Sequence, residues 1–296
     1  MNKAFILIMI IAFYAYPCKA QDSSWKKPLS LSAISQVNQG NSYITFPTDI
    51  GNLEPLWFEA NLIPNFNIRK SKNSRVMGVL TPQIILRMYQ EESYPVRTPS
   101  YMPHVTVYYR LTEKEKSSGI SLFGRFKHHS NGQQGSFFTD SLKINLESGN
   151  FAANKFEGGI ILSNTNTRFK AFQFFASSIE IYPWCVEELD EIYSKFRWNN
   201  TFSVFKLPLG EGNENQQKAV VSLKIETSWM FGEVNSWNNF SLDRLNLGLT
   251  IHYLPKFFED IGFFVQYYHG QDYYNIYFEH HLDVLRFGLM TEKLRF

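Results

Sequence analysis

The chain has 296 residues, with 29 Lys and Arg against 27 Asp and Glu, for a formal charge of +2. Lys3 and Lys19 supply that excess from the amino-terminal segment; the remainder is neutral, has no basic block, and offers no electrostatic footing for nucleic acid. The 27 Phe, 16 Tyr and 6 Trp exclude a disordered chain, and past residue 20 no apolar run is long enough for a membrane-spanning helix.

Residues 1–20 carry Lys3, an apolar run from Ala4 to Tyr16, then Pro17-Cys18-Lys19-Ala20. A charged start, a short apolar run and small residues before the junction predict a signal peptide cleaved after Ala20. Pro17 ahead of Cys18 disfavours a lipoprotein, and loss of Cys18 leaves Cys185 as a single thiol with no internal disulfide. Residues 21–54, rich in Ser, Asn, Gln and Gly, read as an extended N-terminal arm. The domain proper is 55–296.

From Leu56 onward, apolar and polar residues alternate in blocks separated by turn-like clusters. Leu245, Leu247, Leu249, Ile251 and Tyr253 interleave with Arg244, Asn246, Gly248, Thr250 and His252, and Val221–Trp229 repeats the pattern. Period two means strand. Similar blocks lie near 57–69, 76–89, 104–112, 119–129, 140–148, 155–164, 169–183, 193–206, 258–268 and 284–294, with no useful helical block. A soluble sandwich also alternates. Three features favour a transmembrane antiparallel β-barrel of about twelve strands: long strands, whole charges in the polar set (Lys224, Glu226, Arg286), and aromatic ends. The chain also ends on alternation to Phe296, and closure satisfies every backbone group in lipid.

The segment Gly119–Gly132 reads G-I-S-L-F-G-R-F-K-H-H-S-N-G. Alternation places Ile120, Leu122, Gly124, Phe126, His128 and Ser130 on the lipid face, and His129 in the lumen, where it reads as an interior polar group. The block after it puts Asp140 on the same outward face. A hairpin turning through 131–139 brings Asp140 beside His128 and Ser130, a nucleophile, base and orienting group facing the membrane. The same three polar residues also fit the wet rim of a barrel. His280 and His281, adjacent on a strand, point to opposite faces and do not chelate together.

These residues resemble the outer-membrane phospholipase A enzymes of Gram-negative bacteria. His128-His129-Ser130-Asn131-Gly132 matches the family's H-x-S-N-G, and Glu91-Glu92-Ser93-Tyr94-Pro95-Val96-Arg97 with Tyr101 and Pro103 matches its E-E-S-x-P-x-R-x-x-x-Y-x-P segment. Gly270-Gln271-Asp272-Tyr273, the run Arg286–Leu289 and terminal Phe296 also fit, collinearly over 56–296. The resemblance implies a twelve-stranded barrel in the cell outer membrane, hydrolysing acyl esters of membrane phospholipids. It implies His128 as general base, Ser130 as nucleophile and the Gly132 amide as oxyanion donor. The family orients its histidine with an Asn on the following strand, and here Asp140 stands in that place. The resemblance further implies Ca²⁺, held through Ser93, Gln133 and Ser136, and activity as a homodimer. Two other functions stay open at this level: a catalytically silent barrel acting as a small pore or scaffold, and a secreted β-sandwich that binds lipid or glycan.

Overall fold

The computed structural model describes residues 29–291 apart from 70, 72, 94, 114–116, 167–170, 185–186 and 209–218. The expected signal peptide, Cys18, Cys185 and Phe296 lie outside the described residues. Among those described, no helix is long and apolar enough to cross a membrane.

The chain runs α1 (Leu31–Gln39), β1 (Tyr43–Thr45), β2 (Ile50–Gly51), β3 (Leu56–Leu62), β4 (Phe66–Ile68), β5 (Val76–Tyr89), β6 (Ser100–Arg110), β7 (Ser118–Ser130), β8 (Ala152–Asn166), β9 (Ala171–Ile181), β10 (Phe196–Pro208), β11 (Val220–Phe231), β12 (Leu245–Leu254), β13 (Ile261–Gln271) and β14 (His281–Thr291). All pairings between neighbouring strands are antiparallel. β1 and β2 both pair with β14, and β3 and β4 both pair with β5, so each couple is one interrupted stave. The fourteen segments therefore make twelve staves, closed where β1 joins β14 on one side and β3 on the other.

Burial along the staves is inverted relative to a soluble protein. On β5, Met77, Val79, Thr81, Gln83, Ile85, Arg87 and Tyr89 point into the lumen, while Val76 and Leu80 are exposed. Val105, Val107, Leu122, Phe126, Phe156, Ile160, Leu249, Ile251, Phe263 and Val265 extend this exposed apolar face around the barrel. Buried Glu59, Arg87, Thr106, Lys155 and Arg286 lie inside. An apolar exterior over a charged interior is the pattern a barrel needs in lipid and a sandwich in water forbids, so the soluble sandwich is set aside.

The count of twelve holds, but two of its members differ from expectation. Residues 140–148 are not a strand. Thr139 and Lys143 close a tight turn at 2.8 Å, Leu142 takes φ 60°, and the Asn145 side chain accepts the amides of Glu147 and Ser148 at 3.3 and 3.2 Å. A side chain that takes up its neighbours' amides competes with a sheet ladder. The missing stave is supplied by β1 and β2, inside the stretch read as an extended arm.

That stretch also holds α1. Ser30 caps it by accepting the Ala33 amide at 3.1 Å, and Gly40, at φ 82°, donates to the Gln36 carbonyl at 3.2 Å. Leu31, Ala33 and Ile34 pack on Met77, Val79, Tyr108, Phe123, Phe174 and Phe205 in the lumen. One end of the lumen is thus a small apolar core, with Arg69 bonded to Ser32 at 2.7 Å and Arg110 bonded to the Leu29 carbonyl. Beyond the helix lies a polar cavity of about 510 Å³, lined among others by Gln39, Lys127, Glu157 and Lys224. Toward the other end, Glu59 binds Arg87 at 2.6 Å and Arg286 at 2.7 Å, while Arg87 also engages Asp272 through 2.7 and 2.9 Å bonds.

Strand direction alternates, so the connections 90–99, 131–151, 182–195, 232–244 and 272–280 gather at one end, and the three longest in the barrel, 131–151, 182–195 and 232–244, are among them. Outer-membrane barrels show this asymmetry, with their long loops outside the cell.

Candidate active site

β7 and β8 form thirteen register pairs, from Ser118 with Asn164 to Ser130 with Ala152. Within that ladder His128 lies directly opposite Asn154. Directly opposed side chains on one face sit within hydrogen-bonding reach, and His128 Nδ1 lies 2.9 Å from Asn154 Oδ1. The contact fixes Nδ1 as the protonated nitrogen, because an amide oxygen only accepts. It leaves Nε2 as the basic nitrogen. Ser130 follows two residues later on the same face, a Cα spacing of roughly 6.6 Å along an extended strand. All three side chains are half-buried.

The expected partner, Asp140, is elsewhere. Strand β8 begins at Ala152, so the β7–β8 connection is the long loop 131–151, and Asp140 sits in it as an exposed turn residue. The residue that does face His128 across the ladder is Asn154. The sequence carried a signal for it: Asn154, Phe156, Gly158, Ile160 and Leu162 share the outward set of β8, and Asn154 is the polar member at the loop end. The alternation in 140–148 masks that signal, because it reads as the pairing strand.

Behind the outward face the loop base is fixed tightly. Asn131 is buried; its Nδ2 donates to the Gly149 carbonyl at 2.8 Å and to Asn275 Oδ1 at 2.7 Å, and its Oδ1 accepts the Gln133 amide at 3.2 Å. Asn275 in turn donates its amide to Ser100 Oγ at 2.6 Å and its side chain to the Thr98 carbonyl at 3.2 Å. Gly132 follows at φ 67°, in the left-handed region glycine favours. A Cβ there would lie 3.5 Å from the Tyr101 ring, an ordinary contact, so the backbone rather than space demands glycine. Tyr101 itself pairs in register with Ser130. On the lumen side His129 is buried and edges Phe151 at 4.8 Å, as an interior group. Phe137, Ile144 and Phe151 anchor the loop on Tyr182, Leu189, Tyr193, Ile276 and Phe278.

The 91–97 segment joins the same rim. Arg97 bonds to Glu54 at 2.7 Å, Glu91 at 2.8 Å and the Tyr277 hydroxyl at 3.0 Å, and lies 3.7 Å over the Tyr89 ring. Burial works against the Arg97 charge, but the bonds from Tyr277 and Glu91 outweigh it and hold the guanidinium above its ordinary range; burial likewise raises the Tyr277 phenol. Gln133 reaches Thr98 through its side chain, so a metal would meet Gln133 by its main-chain carbonyl. Ser136 is exposed and its carbonyl accepts Asn145 at 3.1 Å, which leaves its hydroxyl. Ser93 is exposed in the 90–99 connection. Each of the three offers neutral oxygens, the donor chemistry that a hard cation such as Ca²⁺ prefers and zinc does not.

Outward from the His128–Asn154 pair, one step toward the barrel middle, Phe126 and Phe156 meet at a tilt with ring centres 5.1 Å apart, and Phe156 meets Trp184 edge-on at 5.6 Å. The polar trio therefore borders an aromatic lipid-facing patch.

Fold and surface together define a closed twelve-stave barrel of the outer-membrane type. Its structure is similar to outer membrane phospholipase A from Escherichia coli, with a TM-score of 0.58 at 12% identity over 86% of this chain and 98% of that one. An active-site mutant of the same enzyme at pH 6.1, with an asparagine replaced by alanine, matches with a TM-score of 0.56 at 11% identity over 93% and 94%. No protein-family model matches the chain, and no curated protein does.

Proposed function

We propose that this protein is an outer-membrane phospholipase A in which Ser130, His128 and Asn154 hydrolyse acyl esters of phospholipids at the outward barrel surface. The observation that carries the reading is the 2.9 Å bond between His128 Nδ1 and Asn154 Oδ1, on the lipid face beside Ser130. Asn154 also supplies an asparagine at the orienting position, as the resemblance implies, which favours the enzyme over a catalytically silent barrel. The asparagine-to-alanine change in the similar Escherichia coli enzyme's active-site mutant is consistent with that role.

In the reaction His128 Nε2 takes the Ser130 hydroxyl proton as Ser130 Oγ attacks the ester carbonyl. Asn154 holds the ring and stabilises the imidazolium that forms. The proton passes to the leaving alcohol, and water then repeats the sequence on the acyl-serine. The Gly132 amide donates to the developing oxyanion. Ca²⁺ held by Ser93, Gln133 and Ser136 would add positive charge near that oxyanion. Three ligands are fewer than Ca²⁺ takes, so water or a second copy of the chain would complete the shell; the resemblance implies the second copy, with dimerisation switching activity on. Substrate enters laterally from the outer leaflet over Phe126 and Phe156, a reading supported by the long connections at this end, which in outer-membrane barrels face outside the cell.

Fatty-acid release from mixed phospholipid–detergent micelles tests the reading. Release by the refolded protein in Ca²⁺, lost in chelator and in Asn154→Ala, supports it. A folded, dimeric barrel that releases nothing in Ca²⁺ sinks it.

A further inference from the structure

A second cluster of chemistry-bearing side chains lies on the outer surface across the barrel. β13 and β14 are the eleventh and twelfth staves, whereas β7 and β8 are the fifth and sixth, so this cluster is remote from Ser130. His269 on β13 pairs in register with Asp283 on β14, and His281 precedes Asp283 by two residues on the same face. The adjacent pair His280–His281 could not chelate. The cross-strand set can.

Its geometry is compact. The ligating atoms of His269, His281 and Asp283 lie within 4.8 Å of one another. His269 Nδ1 is 2.7 Å from Asp283 Oδ1, and the two imidazole rings are 4.5 Å apart. His281 Nε2 is buried with no hydrogen-bond partner, a costly state for a ring nitrogen unless something binds it. Asn52 braces the strand end from outside, donating to the His281 carbonyl at 2.7 Å and accepting the Asp283 amide at 2.8 Å. The Tyr267 hydroxyl donates to Asp283 Oδ1 at 3.0 Å, the kind of outer support that orients a carboxylate ligand.

We infer that His269, His281 and Asp283 form a binding site for one borderline transition-metal dication of the zinc type, on the outer rim of the β13–β14 hairpin. Two imidazoles and a carboxylate are a nitrogen–oxygen set that prefers such a metal to Ca²⁺. Ligand atoms around zinc stand roughly 3.4 Å apart, from metal–ligand distances of about 2.1 Å. A rotation of the His281 ring, whose Nε2 has no hydrogen-bond partner, brings the present spacing down to that. The metal takes the place of the proton shared by His269 and Asp283, and an open fourth position is left for water. Bound there, it clips the ends of β13 and β14 together and stabilises the barrel. The site is independent of the phospholipase reading, because none of its residues borders Ser130.

The test is titration of Zn²⁺ into the refolded, metal-free protein, prepared without a histidine tag, by calorimetry and by competition with a chromogenic chelator. The expected result is one Zn²⁺ per chain, at least tenfold weaker binding in His281→Gln and His269→Gln, and no displacement by Ca²⁺. The temperature at which the barrel loses its compact gel migration should rise with Zn²⁺ in the parent and not in the variants. Asp283→Asn serves as a third variant should either glutamine form fail to show compact migration. Absence of Zn²⁺ binding, or unchanged stoichiometry and affinity in the folded variants, would overturn the assignment.

Discussion

Replacing Asn154 with Ala removes one bond and little else. The side chain is half-buried at the end of β8, its backbone pairing with His128 is unaffected, and no cavity opens in the lumen. Before proton transfer the 2.9 Å contact contributes about 1 kcal/mol. When His128 accepts the Ser130 proton the same contact becomes charge-assisted, worth about 1.5–3 kcal/mol. Only the difference, about 0.5–2 kcal/mol, enters the barrier, so at about 1.4 kcal/mol per decade its loss lowers kcat by about 2- to 30-fold. KM should stay within about twofold, because the bond touches no part of the substrate. The assay is steady-state fatty-acid release at fixed detergent and saturating Ca²⁺, with Asn154→Asp alongside. The aspartate keeps an acceptor at the same atom and should retain most of the activity lost in the alanine form. A folded Asn154→Ala protein with kcat within twofold of the parent would refute the argument.

Further outcomes follow from other parts of the molecule. Asp140→Ala, at an exposed turn, should change fatty-acid release by less than twofold and stability by less than about 0.5 kcal/mol, read by the same assay and by urea titration of compact gel migration. Gly132→Ala places a side chain at φ 67° and should cost about 1–2 kcal/mol locally, seen as a drop in kcat with the barrel intact on gels. Glu59→Gln leaves Arg87 and Arg286 without their shared carboxylate in the lumen and should destabilise the barrel by about 3 kcal/mol, measured by urea unfolding in detergent. Chelation of Ca²⁺ should abolish release without unfolding the barrel, and re-addition should restore it.

Much of this architecture was readable from period-two patterning. Val221–Trp229 and Leu245–Tyr253 pair as β11 and β12 with the polar set inward, because a strand's two faces are fixed by sequence parity alone. The same parity placed His128 and Ser130 outward and His129 inward. Parity says nothing about where pairing stops. In 131–151, Leu142 and Ile144 continue the alternation, yet Asn145 folds back on Glu147 and Ser148, and Phe137 and Ile144 turn inward to a core built from distant loops. Asp140 was therefore assigned to a ladder it never joins, and Asn154 inherits its place. Short β1 and β2, and the helix α1, were hidden for a related reason. Three- and two-residue strands carry no periodicity, and α1 depends on the apolar lumen wall formed by Met77, Tyr108 and Phe174. The His269–His281–Asp283 cluster needed the β13–β14 register, which places residues far apart in sequence side by side.

The central claim is that Ser130 is a nucleophile activated by His128 and Asn154 on the outward face. An alkyl fluorophosphonate carrying a long chain tests it directly, with the modified residue mapped by mass spectrometry on the folded, Ca²⁺-loaded protein. The account predicts stoichiometric modification of Ser130, strongly slowed in Asn154→Ala and unaffected by Asp140→Ala. No modification of Ser130 under those conditions, or modification that Asn154→Ala leaves unchanged, would contradict it.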